Sequence, residues 1–218
     1  MIPAREADFG LLVSRSFENL WVIRKQVAIY LAIVAVAAFT IPLLGIGFTS
    51  GGGLVVYLVG QYWLFQALLK ERGMLETQGN HLGGFLLLAM LLIGPIMVGI
   101  FALILPGLFL VARWIAAPAF VAARGGSAWA AAGASWQTVR GHTGKIASIV
   151  VMMFLIASLF GTLGAAAGGL FAGIAAYRAA QPLNLIEAHL FPLMLLGLSV
   201  AVYELLGPRN TMIEDVFG

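Results

Sequence analysis

The sequence predicts an all-α fold: a polytopic transmembrane helix bundle of about six spans, with an N-terminal amphipathic interfacial helix. Three observations carry this expectation. Of 218 residues, 61% are hydrophobic and only 10% charged, against about 25% charged in ordinary soluble domains. The mean hydropathy is +1.01, so a water-soluble fold of this size would lack the polar residues to cover its surface, whereas lipid solvates an apolar exterior. Finally, apolar stretches near the length of a bilayer-spanning helix recur along the chain, separated by short Gly-, Pro- or charge-bearing connections.

The elements follow in order within a single integral membrane domain, 1–218. Residues 1–26 read as a cytoplasmic amphipathic segment. Phe9, Leu12, Val13, Phe17, Leu20 and Trp21 recur at helical spacing, with Arg15, Glu18 and Asn19 on another face. Trp21, Arg24 and Lys25 stand where a helix enters the bilayer, and no apolar signal region precedes them. The six-span bundle occupies 27–206. Span one runs over 27–48 and ends in the uncharged turn Thr49-Ser50-Gly51-Gly52-Gly53. Span two runs over 54–69 and contains Gln61 and Gln66; a polar loop to His81 follows. Span three covers 84–105, and Pro106-Gly107 is the expected reversal. Span four, 108–123, is short and holds Arg113. Residues 124–145 form a Trp-bearing cytoplasmic connection with a short interfacial helix. Span five covers 146–176, a loop 177–184, span six 185–206, and 207–218 is a cytoplasmic tail.

Charge placement sets the orientation. An even number of spans puts both termini on one side, and that side collects Arg5, Arg15, Arg24, Lys25, Lys70, Arg72, Arg124, Arg140, Lys145 and Arg209, ten of the twelve Lys and Arg. Only Arg178 falls opposite, and Arg113 lies within a span. The positive-inside rule then places both termini in the cytoplasm. The net charge of +3 is spread along a membrane chain and forms no nucleic-acid patch.

Chemistry-bearing patterns are sparse. With no cysteine, disulfides and thiolate chemistry are excluded. His81, His142 and His189 lie in or near different connections without metal-ligand spacing, and they read as ordinary interface residues. No phosphate-binding glycine loop occurs. The expected catalytic, cofactor and metal residues are therefore none. Arg113 is the most informative polar residue, because a charge within a span is costly. It stands seven residues past Pro106, about 10 Å along a helix. Snorkelling beside Trp114 or pairing with Glu187 relieves the cost. Gln61 and Gln66 read as interhelical hydrogen-bonding residues, with a polar path as the alternative. Gly161, Ala165, Gly169 and Gly173 recur every four residues and make a flat face for close helix packing, inside one subunit or across a homo-oligomer.

Pro106-Gly107, Arg113-Trp114, Pro118 and the stretch Ser135-Trp136 to Arg140-Gly141-His142 resemble a bacterial membrane-domain family. It includes the YciC-like proteins and the membrane domain fused to some glycerophosphodiester phosphodiesterases. The resemblance covers most of the chain and is specific over 106–142. Members often carry a glutamate where this chain has Ala122-Ala123-Arg124, and a basic residue where it has Ala134. The resemblance implies a six-span protein of the bacterial inner (plasma) membrane without an assigned activity. It implies no transfer of phosphodiesterase catalysis, which resides in a separate soluble domain of the fusions. The expected function is non-enzymatic, with membrane lipids or another membrane protein as partners. The alternative is a small-molecule transporter or permease subunit, for which Arg113, Gln61 and Gln66 would converge on a hydrated cavity.

Overall fold

The computed structural model describes residues 8–43, 52–77, 79–170 and 174–207, without the side chains of 38–39, 41–43, 52, 164–165, 167–170 and 174–187. The described residues fold into helices and contain no strand: α1 (Phe9–Val22), α2 (Arg24–Leu43), α3 (Gly52–Glu71), α4 (Leu82–Ala102), α5 (Ile104–Trp114), α6 (Ala117–Arg124), α7 (Ala128–Thr138), α8 (Thr143–Leu170) and α9 (Ile174–Leu206). Among the described residues, four segments are long and apolar enough to cross a membrane: Leu82–Ala102, Ile104–Arg124, Thr143–Leu163 and Ala188–Leu206. α1 and the first part of α2 make a fifth when taken as one pair, bent by 70°.

The C-terminal half of α9 is the axis of the bundle. Leu196, Leu198, Val200, Ala201 and Val202 are buried, and α1, α2, α3, α6 and α8 all pack against α9. α4 and α8 leave their outer faces bare, with Met90 70% and Phe101 81% exposed on α4 and Phe154, Leu159 and Phe160 exposed on α8. Rows of this kind are solvated by hydrocarbon and not by water.

The chain reverses between α4 and α5 at Leu103, whose backbone is extended (φ −162, ψ 130), and not at Pro106-Gly107. A proline is tolerated in the first turn of a helix, where N–H groups lack intrahelical partners. Pro106 accordingly sits inside the first turn of α5. Gly107 serves the crossing instead: a Cβ on Gly99 would stand 2.9 Å from Gly107 Cα, so the two helices touch backbone to backbone.

α5 and α6 together make one of the four apolar segments, interrupted at Ile115 and Ala116. Pro118 lies in the first turn of α6, where its missing N–H and ring end the preceding hydrogen-bond ladder. The interruption frees backbone groups, and Ser135 of α7 satisfies two of them. Its hydroxyl donates to Arg113 O at 2.9 Å and accepts from Ala116 N at 3.2 Å. α7 doubles back along α6 through Gly125 and Gly126, whose φ values of 70 and 87 favour glycine, and Ser127 caps α7 by accepting from Ala130 N at 3.2 Å.

Two further differences from the sequence expectations have simple causes. α9 is one helix from Ile174 through Pro182, where a loop 177–184 was expected; one proline removes one helical hydrogen bond, while a full break would free several carbonyls. Asn19, expected with Arg15 and Glu18 on a face apart from the apolar residues of α1, is buried, and Phe17 and Trp21 of the apolar set are exposed. The docked stripe of α1 is Leu12, Ser16 and Asn19, because the small Ser16 and the hydrogen-bonding Asn19 allow the backbones of α1 and α9 to approach. Of the small-residue row on α8, Gly161 is buried; the side chain of Ala165, Gly169 and Gly173 lie outside the described side chains or residues.

Candidate functional site

A cleft of about 340 Å³ lies between α3, α4, the α5–α6 span and α9. Helical periodicity builds its walls. Tyr57, Gln61 and Phe65 lie four residues apart on one face of α3; Phe85, Ala89, Leu92 and Ile96 line one stripe of α4; Leu195, Leu196 and Ser199 come from α9. Trp114 and Pro118 close it at the interruption between α5 and α6. Ile93 lines the cleft and is also half exposed on the outer apolar face of α4.

The lining is apolar except at a few places. Among the described residues, none of its side chains is Asp, Glu, Lys, Arg or His. Gln61 is 5% and Ser199 2% exposed. Gln61 Nε2 and Ser199 Oγ have no hydrogen-bond partner. Gln61 does stand beside the Tyr30 hydroxyl, but the short bond of that hydroxyl is to His189 Nδ1, at 2.8 Å. A primary amide carries two N–H donors, so at least one is left without a partner.

Next to the cleft, His189 joins three helices. Its ring meets Tyr30 of α2 edge-on at 5.4 Å and Tyr57 of α3 at 5.8 Å between centroids. Read as an ordinary interface residue in the sequence, His189 is only 7% exposed. A signal was present: His189, Ser199 and Tyr203 share one face of α9 at helical spacing.

The other candidates stand apart from this cleft. Gln66 is five residues from Gln61, which turns it by about 140° around α3. Its Nε2 donates to Ala122 O at 2.7 Å and to Tyr62 Oη at 3.2 Å, tying α3 to α6. Arg113 lies outside the cleft as well. Its Nη1 donates to Trp136 O at 3.1 Å, and its guanidinium lies 4.8 Å from the Trp136 ring centre and 5.3 Å from that of Phe109. The carbonyls of the last turn of a helix lack intrahelical donors and carry the negative end of its dipole, so Arg113 relieves α7 as α7 relieves it. The side chain of Glu187, the partner expected from the sequence, lies outside the described residues. Within the interfacial motif, Ser135 and Trp136 hold α5, Gly141 takes φ 90 in the turn before α8, and Arg140 is exposed.

Arg113→Lys should therefore lower stability by about 1 kcal/mol, because lysine keeps the charge and loses the planar group that stacks on Trp136 while donating to its carbonyl. Thermal unfolding in detergent checks this, and an unchanged midpoint would show that neither the stacking nor the fixed donor contributes.

Charged residues gather at one end of the bundle. Arg124 Nε bonds Glu76 Oε1 at 2.8 Å, and Tyr203 Oη donates to the same oxygen at 3.0 Å. Arg72 Nε donates to Asn19 Oδ1 at 2.9 Å, and Arg15 approaches Glu204 at 3.6 Å. These contacts bring Arg15, Arg72 and Arg124 to the same end. Among the described residues, no group of three or more His, Asp or Glu is placed to hold a metal ion. No family model, curated protein or solved structure matches the chain.

Proposed function

We propose that this chain is a non-enzymatic, lipid-binding integral protein of a bacterial inner (plasma) membrane, with six spans and both termini in the cytoplasm. The observation that carries the reading is the mainly apolar cleft, uncharged among the described residues, whose lining includes Ile93, half exposed on the bare outer face of α4. Ligand sites are concave and mostly apolar, with a few polar groups that orient the ligand, and the molecules available beside such a face are lipids. The transport alternative relied on Arg113, Gln61 and Gln66 meeting in one cavity, and their separation removes that support.

In this reading α2 and α3 add two spans to the four apolar segments. α1 lies at the cytoplasmic interface: its 70° bend against α2 turns it away from the direction of span one, and Trp21 is 70% exposed. The gathering of Arg15, Arg72 and Arg124 at one end agrees with the charge asymmetry. The same plan agrees with the family that the 106–142 stretch resembles.

Lipid binding is tested by native mass spectrometry of the protein released from bilayer nanodiscs. At least one lipid should stay bound after collisional removal of the annular shell, and a bare protein under gentle activation would overturn the reading. The topology has its own test. Reporter fusions after Arg24, Glu76 and Ser127 should read cytoplasmic, and fusions near Gly52, Leu103 and Ala172 external. A cytoplasmic signal at Ala172 would overturn the six-span arrangement.

A further inference from the structure

We infer that the cleft selects an uncharged amphiphile whose head is a hydrogen-bond acceptor, such as an alkyl alcohol, ketone or ester, held by Gln61 and Ser199. This inference rests on the lipid-binding reading and adds the chemistry of the head. Ser199 Oγ is a buried donor without a partner, Gln61 Nε2 keeps at least one buried N–H without one, and both residues line the cleft. A buried donor left unsatisfied is costly, and an acceptor oxygen from a ligand removes that cost. The amide nitrogen of Gln61 can only donate, so a head that offers only donors gains nothing from it.

Charge is what the cleft refuses. Among the described residues, no cationic or acidic side chain lines it. A phosphate or carboxylate brought there would lose its water without an opposite charge to replace it, and burying an unpaired ion is far more costly than burying a neutral polar group. The basic residues that would attract anionic heads stand elsewhere: Arg72 and Arg124 are engaged at the charged end, and Arg113 is engaged with α7. At about 340 Å³ the cleft is small for a ligand pocket, near the lower end of the roughly 300–1,000 Å³ range. It therefore suits one polar head with one alkyl chain, whose far end can lie against Ile93. Water is the competing occupant, since Gln61 and Ser199 already supply the minimum of two polar partners; an amphiphile gains in addition the burial of its alkyl chain against the aromatic and aliphatic lining.

The test is photolabelling of the full chain in nanodiscs of neutral phospholipid, with mass-spectrometric mapping of the labelled residues. Three diazirine-bearing probes of equal chain length are compared: a decanol, the decane and the decanoate. The decanol should label the walls at Leu92, Ile96 and Leu195, and excess plain decanol should compete. The double variant Gln61→Leu with Ser199→Ala should reduce wall labelling by the decanol about tenfold, the factor corresponding to ~1.4 kcal/mol, and leave labelling by the decane unchanged. If the double variant does not fold, Ser199→Ala and Gln61→Met are tested singly, and each should reduce decanol labelling alone. Equal wall labelling by all three probes, insensitive to these substitutions, would overturn the head selectivity and leave lipid binding standing. Preference for the decanoate would overturn it too. Labelling confined to outer residues such as Phe101 and Phe160, with none in the cleft, would remove both the selectivity and the lipid-binding reading.

Discussion

Gly197→Leu should detach α1 from the bundle and lower stability by about 3 kcal/mol or more, the upper range for overpacking a close contact. A Cβ at Gly197 would stand 2.5 Å from Ser16 O and 3.2 Å from Leu20 Cγ. The first of these is backbone, so no rotamer change relieves the clash and α1 must move as a body. Moving it breaks the bond from Asn19 Nδ2 to Gly197 O, 3.2 Å long, and pulls Asn19 away from Arg72. It also uncovers Leu12, which is fully buried. Thermal unfolding should show a lower midpoint, and limited trypsin digestion should cut at Arg15 or Arg24 in the variant before it cuts the parent. An unchanged midpoint with α1 still protected would mean that α1 docks on α9 with slack that the present contact does not show.

Gly107→Val should be of similar or larger effect, because it drives two backbones apart inside the α4–α5 hairpin. A Cβ there would stand 2.7 Å from Ile100 N and 2.9 Å from Ile100 Cα, besides meeting the Ile100 side chain. Small residues at helix crossings permit close backbone approach, and a branched side chain acts as a wedge. The expected loss is about 3 kcal/mol or more, read as a large drop in folded yield and in unfolding temperature. Gly94→Ala on α4 is the control. Nothing lies within 4 Å of its Cβ position, so stability should stay within about 0.5 kcal/mol of the parent. A loss at Gly94 equal to that at Gly107 would attribute the effect to α4 itself and not to the crossing.

Both positions show the limit of a one-dimensional reading. Gly161, Ala165, Gly169 and Gly173 form the regular row visible in the sequence. Gly99 with Gly107, and Gly197 opposite Ser16, belong to no single repeat, because their partners sit on different helices. Spacing along one helix cannot reveal a face whose other half lies up to 181 residues away (197 − 16). The same applies to Ser135. Its pairing with Trp136 was legible as a motif, but its bonds to Arg113 O and Ala116 N follow from α7 folding back along α6.

Composition and hydropathy alone determined that the described residues form helices without a strand and that several of these helices are long and apolar enough to cross a membrane. These are local properties, set by runs of residues whose backbone polar groups must be satisfied within the helix. The interruption before Pro118 has a local cause as well, since a missing N–H acts within one turn, although span four reads as continuous over 108–123 in the sequence. Tertiary structure alone decided that the chain reverses at Leu103, that Asn19 turns inward, that Arg113 meets the end of α7, and that Gln61 faces a cleft with Ser199 while Gln66 turns to Ala122. Each of these depends on which helices become neighbours. A polar residue in an apolar helix states only that it needs a partner, and the packing of distant segments determines what that partner is.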